Sequence, residues 1–203
     1  MMDMNIGIYS IEGETDQEKP VKVLETGCRG LTCQMASKDR LYFGKSMGND
    51  ESTCAHVFVY SSGYEFIKDI EIEADDCMMQ SMALAHDEKF LVCTFQEGNI
   101  AIINTEDYSL QIVNPFEDVE NIYSTIVLRS QNQNDFFERV VCATSDGCKT
   151  AMLSKDGVLQ ASEQYFPGCN VSNVEKVQDE KVIAILNDEE GISKIYTVDT
   201  GTD

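Results

Sequence analysis

Residues 90–104 read FLVCTFQEGNIAIIN: two apolar runs, Phe90 to Phe95 and Ile100 to Ile103, with the polar stretch 96–99 between them. A connection that short folds the runs into an antiparallel hairpin. Neither run alternates apolar with polar residues, as a strand in a sheet with one wet face would. Both faces of the hairpin must therefore be covered, and what covers the second face decides the fold.

The answer lies in a repeat. ASKDRLYF at 36–43, AHDEKFLV at 85–92 and QDEKVIAI at 178–185 each place an acidic turn, a base and an apolar strand in succession, and NDFFERVV at 134–141 is a weaker copy. The bases that precede the strands are Arg40, Lys89, Arg139 and Lys181, at intervals of 49, 50 and 42 residues. Four short strands, a to d, can be written into each full interval. Around the opening stretch they are 79–85, 90–95, 100–104 and 109–114; before it, 31–36, 41–45, 56–60 and 65–72; after it, 123–128, 140–144, 150–153 and 158–162. Two strands, 6–11 and 21–25, begin the chain, and three, 174–177, 182–186 and 193–198, end it. No segment carries a helical period over ten or more residues, so the class is all-β.

Consecutive four-stranded antiparallel units of this length are the signature of β-propeller blades, in which each sheet packs face to face on the next. The expected architecture is one domain of about four to five blades, at 1–27 (partial), 28–77, 78–120, 121–169 and 170–203 (partial). A fragment of a larger ring is the favoured reading, because the final TVDTGTD stops where a fourth strand is due. An open end would expose an apolar blade face and promote association. A two-sheet β-sandwich is the main rival, and it would need no repeat.

The turn x-Asp-x-[Arg/Lys] into strand b, and the Asp or Asn that closes strand c (Asn104 in IAIIN, Asp199 in IYTVD), resemble WD40-like propellers. The match spans most of the chain but is degenerate. The sequence has no tryptophan and no Gly-His pair before the repeats, hence no complete Trp/Ser/His/Asp network of the family type. The resemblance implies a rigid scaffold that presents a circular face to peptides or other subunits.

Thirty-six acidic residues against fifteen basic ones give a formal net charge of −21. Such a field repels phosphate backbones and anionic lipid headgroups, so neither nucleic acid nor membrane is an expected partner. In a propeller the b–c and d–a loops open on one face and the a–b and c–d turns on the other. Sorted this way, the first face collects Asp50, Glu51, Asp75, Asp76, Glu97, Glu117, Asp118, Glu120, Asp146, Asp188, Glu189 and Glu190, with no Lys or Arg read in those loops. The opposite face mixes signs. Single-sign charge costs self-repulsion that a complementary partner offsets, so the first face is expected to dock a basic peptide or protein segment. The bland alternative is that these loops are acidic because the whole chain is.

Catalytic chemistry finds little support in the sequence. His56 and His86, the two histidines, fall in different regions of the blades, and no nucleophile elbow, metalloprotease helix motif or phosphate loop occurs. No cofactor and no metal site is expected: the eight cysteines include no Cys-x-x-Cys pair, and MGNDES at 47–52 lacks the alternating ligands of a calcium loop. Cys93 and Cys142 follow apolar residues inside strands, as buried free thiols do. Pairing about the Asp146-Gly147 turn puts Cys148 opposite Ser145 and Cys142 opposite Ala151, so these two thiols do not face each other. A propeller-type hydrolase or lyase with an acidic channel site is the alternative function. With no export signal and no bilayer-length apolar run, the cytoplasm, or the nucleus, is the expected location.

Overall fold

The computed structural model describes residues 5–8, 22–25, 31–46, 54–73, 78–116, 119–129, 137–178, 181–187 and 193–199. Among them every regular element is a strand, in five antiparallel sheets. The first sheet pairs β1 (Asn5–Ile8) with β2 (Lys22–Glu25). The second holds β3 (Leu31–Ala36), β4 (Arg40–Lys45), β5 (Ala55–Ser61) and β6 (Phe66–Ile72). The third holds β7 (Met79–Ala85), β8 (Phe90–Phe95), β9 (Ile100–Asn104) and β10 (Leu110–Val113). The fourth holds β11 (Ile122–Leu128), β12 (Phe137–Thr144), β13 (Gly147–Ser154) and β14 (Leu159–Tyr165). The last holds β15 (Asn170–Gln178), β16 (Lys181–Asn187) and β17 (Ser193–Asp199). Within each sheet, neighbours in space are neighbours in sequence. Between sheets, the first strands touch in order, β3 on β7, β7 on β11 and β11 on β15, which makes them the inner edge of an open propeller array.

Each junction between consecutive sheets has its own core. Leu24 packs with Phe43, Phe58 and Tyr60 between the first two sheets. Tyr42, Val57 and Val59 meet Leu91, Cys93 and Phe95 at the next junction. Phe90, Val92, Ile100 and Ile102 then meet Val140, Cys142, Ala151 and Leu153. Val141, Ala143 and Cys148 close on Val174, Val182, Ala184 and Val198. Successive side chains of a strand point to opposite faces, so the odd residues of β8 enter one core and the even residues the other. That is why FLVCTFQEGNIAIIN is apolar without alternation: a sheet lies against each side of it.

A polar device recurs at these junctions on the a–b side. The Glu88 carboxylate accepts the backbone N–H of Lys38 at 3.1 and 3.3 Å, one sheet back. Glu138 accepts the N–H of His86 at 2.6 Å in the same way. Two of the marker bases reach the carbonyl oxygen of a c–d turn one sheet forward: Lys89 Nζ, next to Glu88, donates to Lys155 at 2.7 Å, and Arg40 Nη1 donates to Thr105. Acid back and base forward together pin three consecutive sheets. Arg139 departs from the pattern and lies 3.6 Å from Glu163 on its own sheet.

Two local expectations are corrected. The turn between β12 and β13 consists of Ser145 and Asp146, not Asp146 and Gly147, so Cys142 lies opposite Lys149 and Cys148 opposite Ala143. Gly147, at φ +91°, still pairs with Thr144, because the Thr144 Oγ1 accepts the Asp146 N–H and donates to the Gly147 carbonyl. The two thiols remain out of register. The outer strands also run differently from the expected ranges: β14 extends to Tyr165 through residues exposed to solvent, where no apolar pattern marks it.

Candidate functional site

The b–c and d–a connections share one end of the array, and hydrogen bonds tie them together across the sheets. Gln96 on a b–c turn donates its N–H to Met78 at 3.0 Å, and its carbonyl accepts from Ile122 at 2.9 Å. Its side-chain amide also reaches Asn121 at 2.7 Å. One sheet further, Ser145 donates to the Asn121 carbonyl at 3.0 Å, and Gly147 donates to that of Cys169 at 2.6 Å. Among the described residues this surface is therefore a braced platform, because the β8–β9 and β12–β13 turns are each held by backbone groups of the connection beside them.

Three of the expected acidic residues lie among the described residues. Glu97 and Glu120 are exposed on this end, in a b–c turn and a d–a connection. Asp146 is half-buried, and its carboxylate is engaged within the fold. Asp146 Oδ1 accepts the Gly168 N–H at 2.7 Å, and Oδ2 lies 3.1 Å from the Gln164 amide and 3.4 Å from Lys149 Nζ. The Gly168 N–H above all holds its carboxyl below the ordinary 3.8. Asp146 thus organises the turn first and offers charge second. Asp50, Glu51, Asp75, Asp76, Glu117, Asp118, Asp188, Glu189 and Glu190 lie outside the described residues.

Bases also approach this end. Lys149, on β13, projects beside Asp146, and Lys194, on β17, lines a recess next to Ser145. Lys194 sits on a strand outside the loops, whereas Lys149 falls in the 145–149 interval that the expected strands leave as a b–c loop, so the expectation of no Lys or Arg in those loops is corrected. Arg29 lies outside the described residues. The recess has a volume of ≈ 550 Å³ and is lined by Gly168, Cys169, Asn170, Leu186, Asn187 and Tyr196 as well. The Phe166 and Tyr196 rings stand 5.2 Å apart at its edge. Leu186 and Tyr196 give it an apolar foothold beside Lys194.

The two histidines occupy opposite ends. His86 Nε2 lies 2.8 Å from the Leu153 carbonyl oxygen on the a–b side, so its ring bridges two sheets. His56, at the start of β5, lies 3.0 Å from Asp69 Oδ1, with Glu71 nearby. These three residues sit on the third and fourth strands of their sheet, away from the inner edge formed by β3, β7, β11 and β15. Sequence reasoning did not bring them together, since only the pairing of β5 with β6 does so. The thiols behave as core. Burial holds Cys93 well above the ordinary 9.0 and pushes Cys142 and Cys148 up to about 12.

No protein-family model matches the sequence, and no curated protein matches it. Solved structures do match in shape. The β-propeller domain of Cps50 (Swd1) from Myceliophteria thermophila superposes with a TM-score of 0.57 at 12% identity, over 85% of this chain and 56% of that one. Raptor from Chaetomium thermophilum gives 0.59 at 11%, over 83% and 15% of the two chains. Hydrazine synthase from Kuenenia stuttgartiensis gives 0.57 at 12%, over 84% and 46%. The chain thus spans about half or less of the length of these neighbours, and identities this low carry the fold alone. Stacked sheets, one core per junction and these likenesses agree: the chain has the fold of a β-propeller.

Proposed function

We propose that this chain is a non-catalytic interaction scaffold whose b–c and d–a loop end docks a basic peptide or protein subunit. The observation that carries the reading is the exposure of Glu97 and Glu120 on a hydrogen-bonded platform, in a chain of net charge −21. A braced surface loses little conformational entropy on binding, and its field steers a cationic partner toward it. The recess beside Leu186 and Tyr196 supplies the apolar contact that electrostatics alone does not. Neighbours of the same fold include a protein named as a synthase, so fold does not decide against catalysis. The placement of groups supports the scaffold reading instead: the described histidine that lies among carboxylates is on outer strands, not at the inner edge where channel chemistry would be built.

The test is capture of an Arg/Lys-rich peptide at low and high salt. Binding should weaken as salt rises, because exposed charges are screened within about 10 Å at ~0.1 M ionic strength. Replacing Asp75, Asp76, Glu117 and Asp118 with Asn or Gln should weaken it further and flatten the salt response. Unchanged capture by that variant would refute the assignment of this end.

A further inference from the structure

The β5–β6 hairpin presents three side chains of metal-ligating type where it meets the loop end. His56 pairs across the strands with Glu71, and Phe58 with Asp69. Because faces alternate along a strand, His56, Asp69 and Glu71 share one face, the face on which Phe58 and Tyr60 pack toward the first sheet. One ligand atom from each lies within 4.8 Å of the others. The imidazole is only 15% exposed and Asp69 38%. The His56 ring lies parallel to that of Phe58, at 3°, which restricts its orientation. Two carboxylates side by side on one strand face repel each other, and a cation held between them and the imidazole removes that cost.

The geometry suits a small divalent ion. His56 Nδ1 and Asp69 Oδ1 are 3.0 Å apart. That is a direct hydrogen bond; tetrahedral Zn²⁺ with bonds of about 2.0–2.1 Å spaces two ligand atoms by roughly 3.3 Å, so the pair opens by only about 0.3 Å to take the ion in place of the proton. Glu71 is exposed, and its carboxylate lies within 4.8 Å of the other two ligand atoms. One imidazole nitrogen with two carboxylates favours Zn²⁺; Ca²⁺ demands six to eight oxygens, and Mg²⁺ gives up its water reluctantly. Lys45, opposite His56 on β4, is the cation nearest in register, and its flexible stem lets the ammonium turn outward. We propose that His56, Asp69 and Glu71 form a Zn²⁺ site that clips β5 to β6, with water or a partner's side chain completing the coordination.

The experiment is calorimetric titration of Zn²⁺ into the full chain, stripped with chelator and kept reduced. One equivalent should bind saturably, and His56→Gln or Asp69→Asn should each weaken it at least ~10-fold. Glu71→Gln, at an exposed position, keeps the test alive if a variant of His56 or Asp69 does not fold. Excess Ca²⁺ should not displace the zinc. Co²⁺ in place of Zn²⁺ reads the donor atoms: weak visible bands without a thiolate charge-transfer band support the assignment. Absence of saturable binding, equal affinity in the variants, displacement by Ca²⁺, or a thiolate band abolished by Cys54→Ser would each overturn it.

Discussion

Lys89 Nζ lies 2.7 Å from the carbonyl oxygen of Lys155, sixty-six residues on and one sheet away. Arg40 makes the same reach to Thr105, across sixty-five residues. In two of the four repeats, the base that marks the repeat is thus the group that fixes one sheet to the next. The acids Glu88 and Glu138, each just before such a marker base, secure the sheet before.

If these contacts pin the sheets, their loss should cost stability in proportion to burial. Glu138 is 9% exposed, and removing it leaves the His86 N–H without its acceptor. Glu138→Ala should therefore destabilise by about 2 kcal/mol, and Lys89→Met, at an exposed bond, by less than ~1 kcal/mol. Urea denaturation of both variants measures the difference.

Leu91 and Val92 are adjacent, fully buried, and committed to different inter-sheet cores. Leu91→Ala should cost about 2–5 kcal/mol. Val92→Ala should cost at least ~1 kcal/mol, because it too leaves a cavity. Ile195→Ala, at a side chain 70% exposed, should stay within ~0.5 kcal/mol. A strand with one wet face would tolerate one of the adjacent pair, and equilibrium unfolding of the three variants distinguishes the cases.

Gly147 and Gly168 both have positive φ, at +91° and +76°. A Cβ on Gly147 would stand 2.5 Å from the Tyr165 carbonyl oxygen and 2.8 Å from that of Phe166, whereas one on Gly168 meets nothing within 4 Å. Gly168→Ala should therefore carry only the left-handed backbone cost of about 1–2 kcal/mol. Gly147→Ala should carry that cost and a backbone displacement besides, so its denaturation midpoint should fall further.

The buried thiols predict a reactivity pattern. Only the thiolate reacts, and burial pushes Cys142 and Cys148 up to about 12, so at pH 8 both remain protonated as well as shielded. Iodoacetamide followed by peptide mass spectrometry should leave Cys93, Cys142 and Cys148 unmodified in native protein and label them in urea. Labelling of any of the three without unfolding would contradict the packing.

Strands whose two faces are both dry can be read directly from their residues. The strands 79–85, 90–95 and 100–104 coincide with β7, β8 and β9 because apolar runs and turn residues mark both ends. β14 was underestimated because residues such as Gln160 and Gln164 face solvent and carry no pattern. The β12–β13 turn was displaced by one residue because Asp146-Gly147 looks like a turn centre, whereas the Thr144 hydroxyl draws Gly147 into the ladder. The loop end is legible as topology, yet Lys194 reaches it from a strand, where sorting by loops does not look, and Lys149 stands at the edge of a loop read as free of bases. His56, Asp69 and Glu71 become neighbours only through the β5–β6 register, and the acids of the acid–base pairs act across about fifty residues.

Net charge alone could attract a basic peptide to any side of the molecule, so the decisive measurement compares two ends at equal charge removed. One variant neutralises Asp75, Asp76, Glu117 and Asp118; the other neutralises Asp39, Asp87, Glu106 and Asp156 on the a–b and c–d end. Affinity for one Arg/Lys-rich peptide, titrated at two salt concentrations, should fall by at least ~10-fold in the first variant and stay within about twofold in the second. Equal losses in both, or a loss confined to the second, would contradict docking at the b–c and d–a loops.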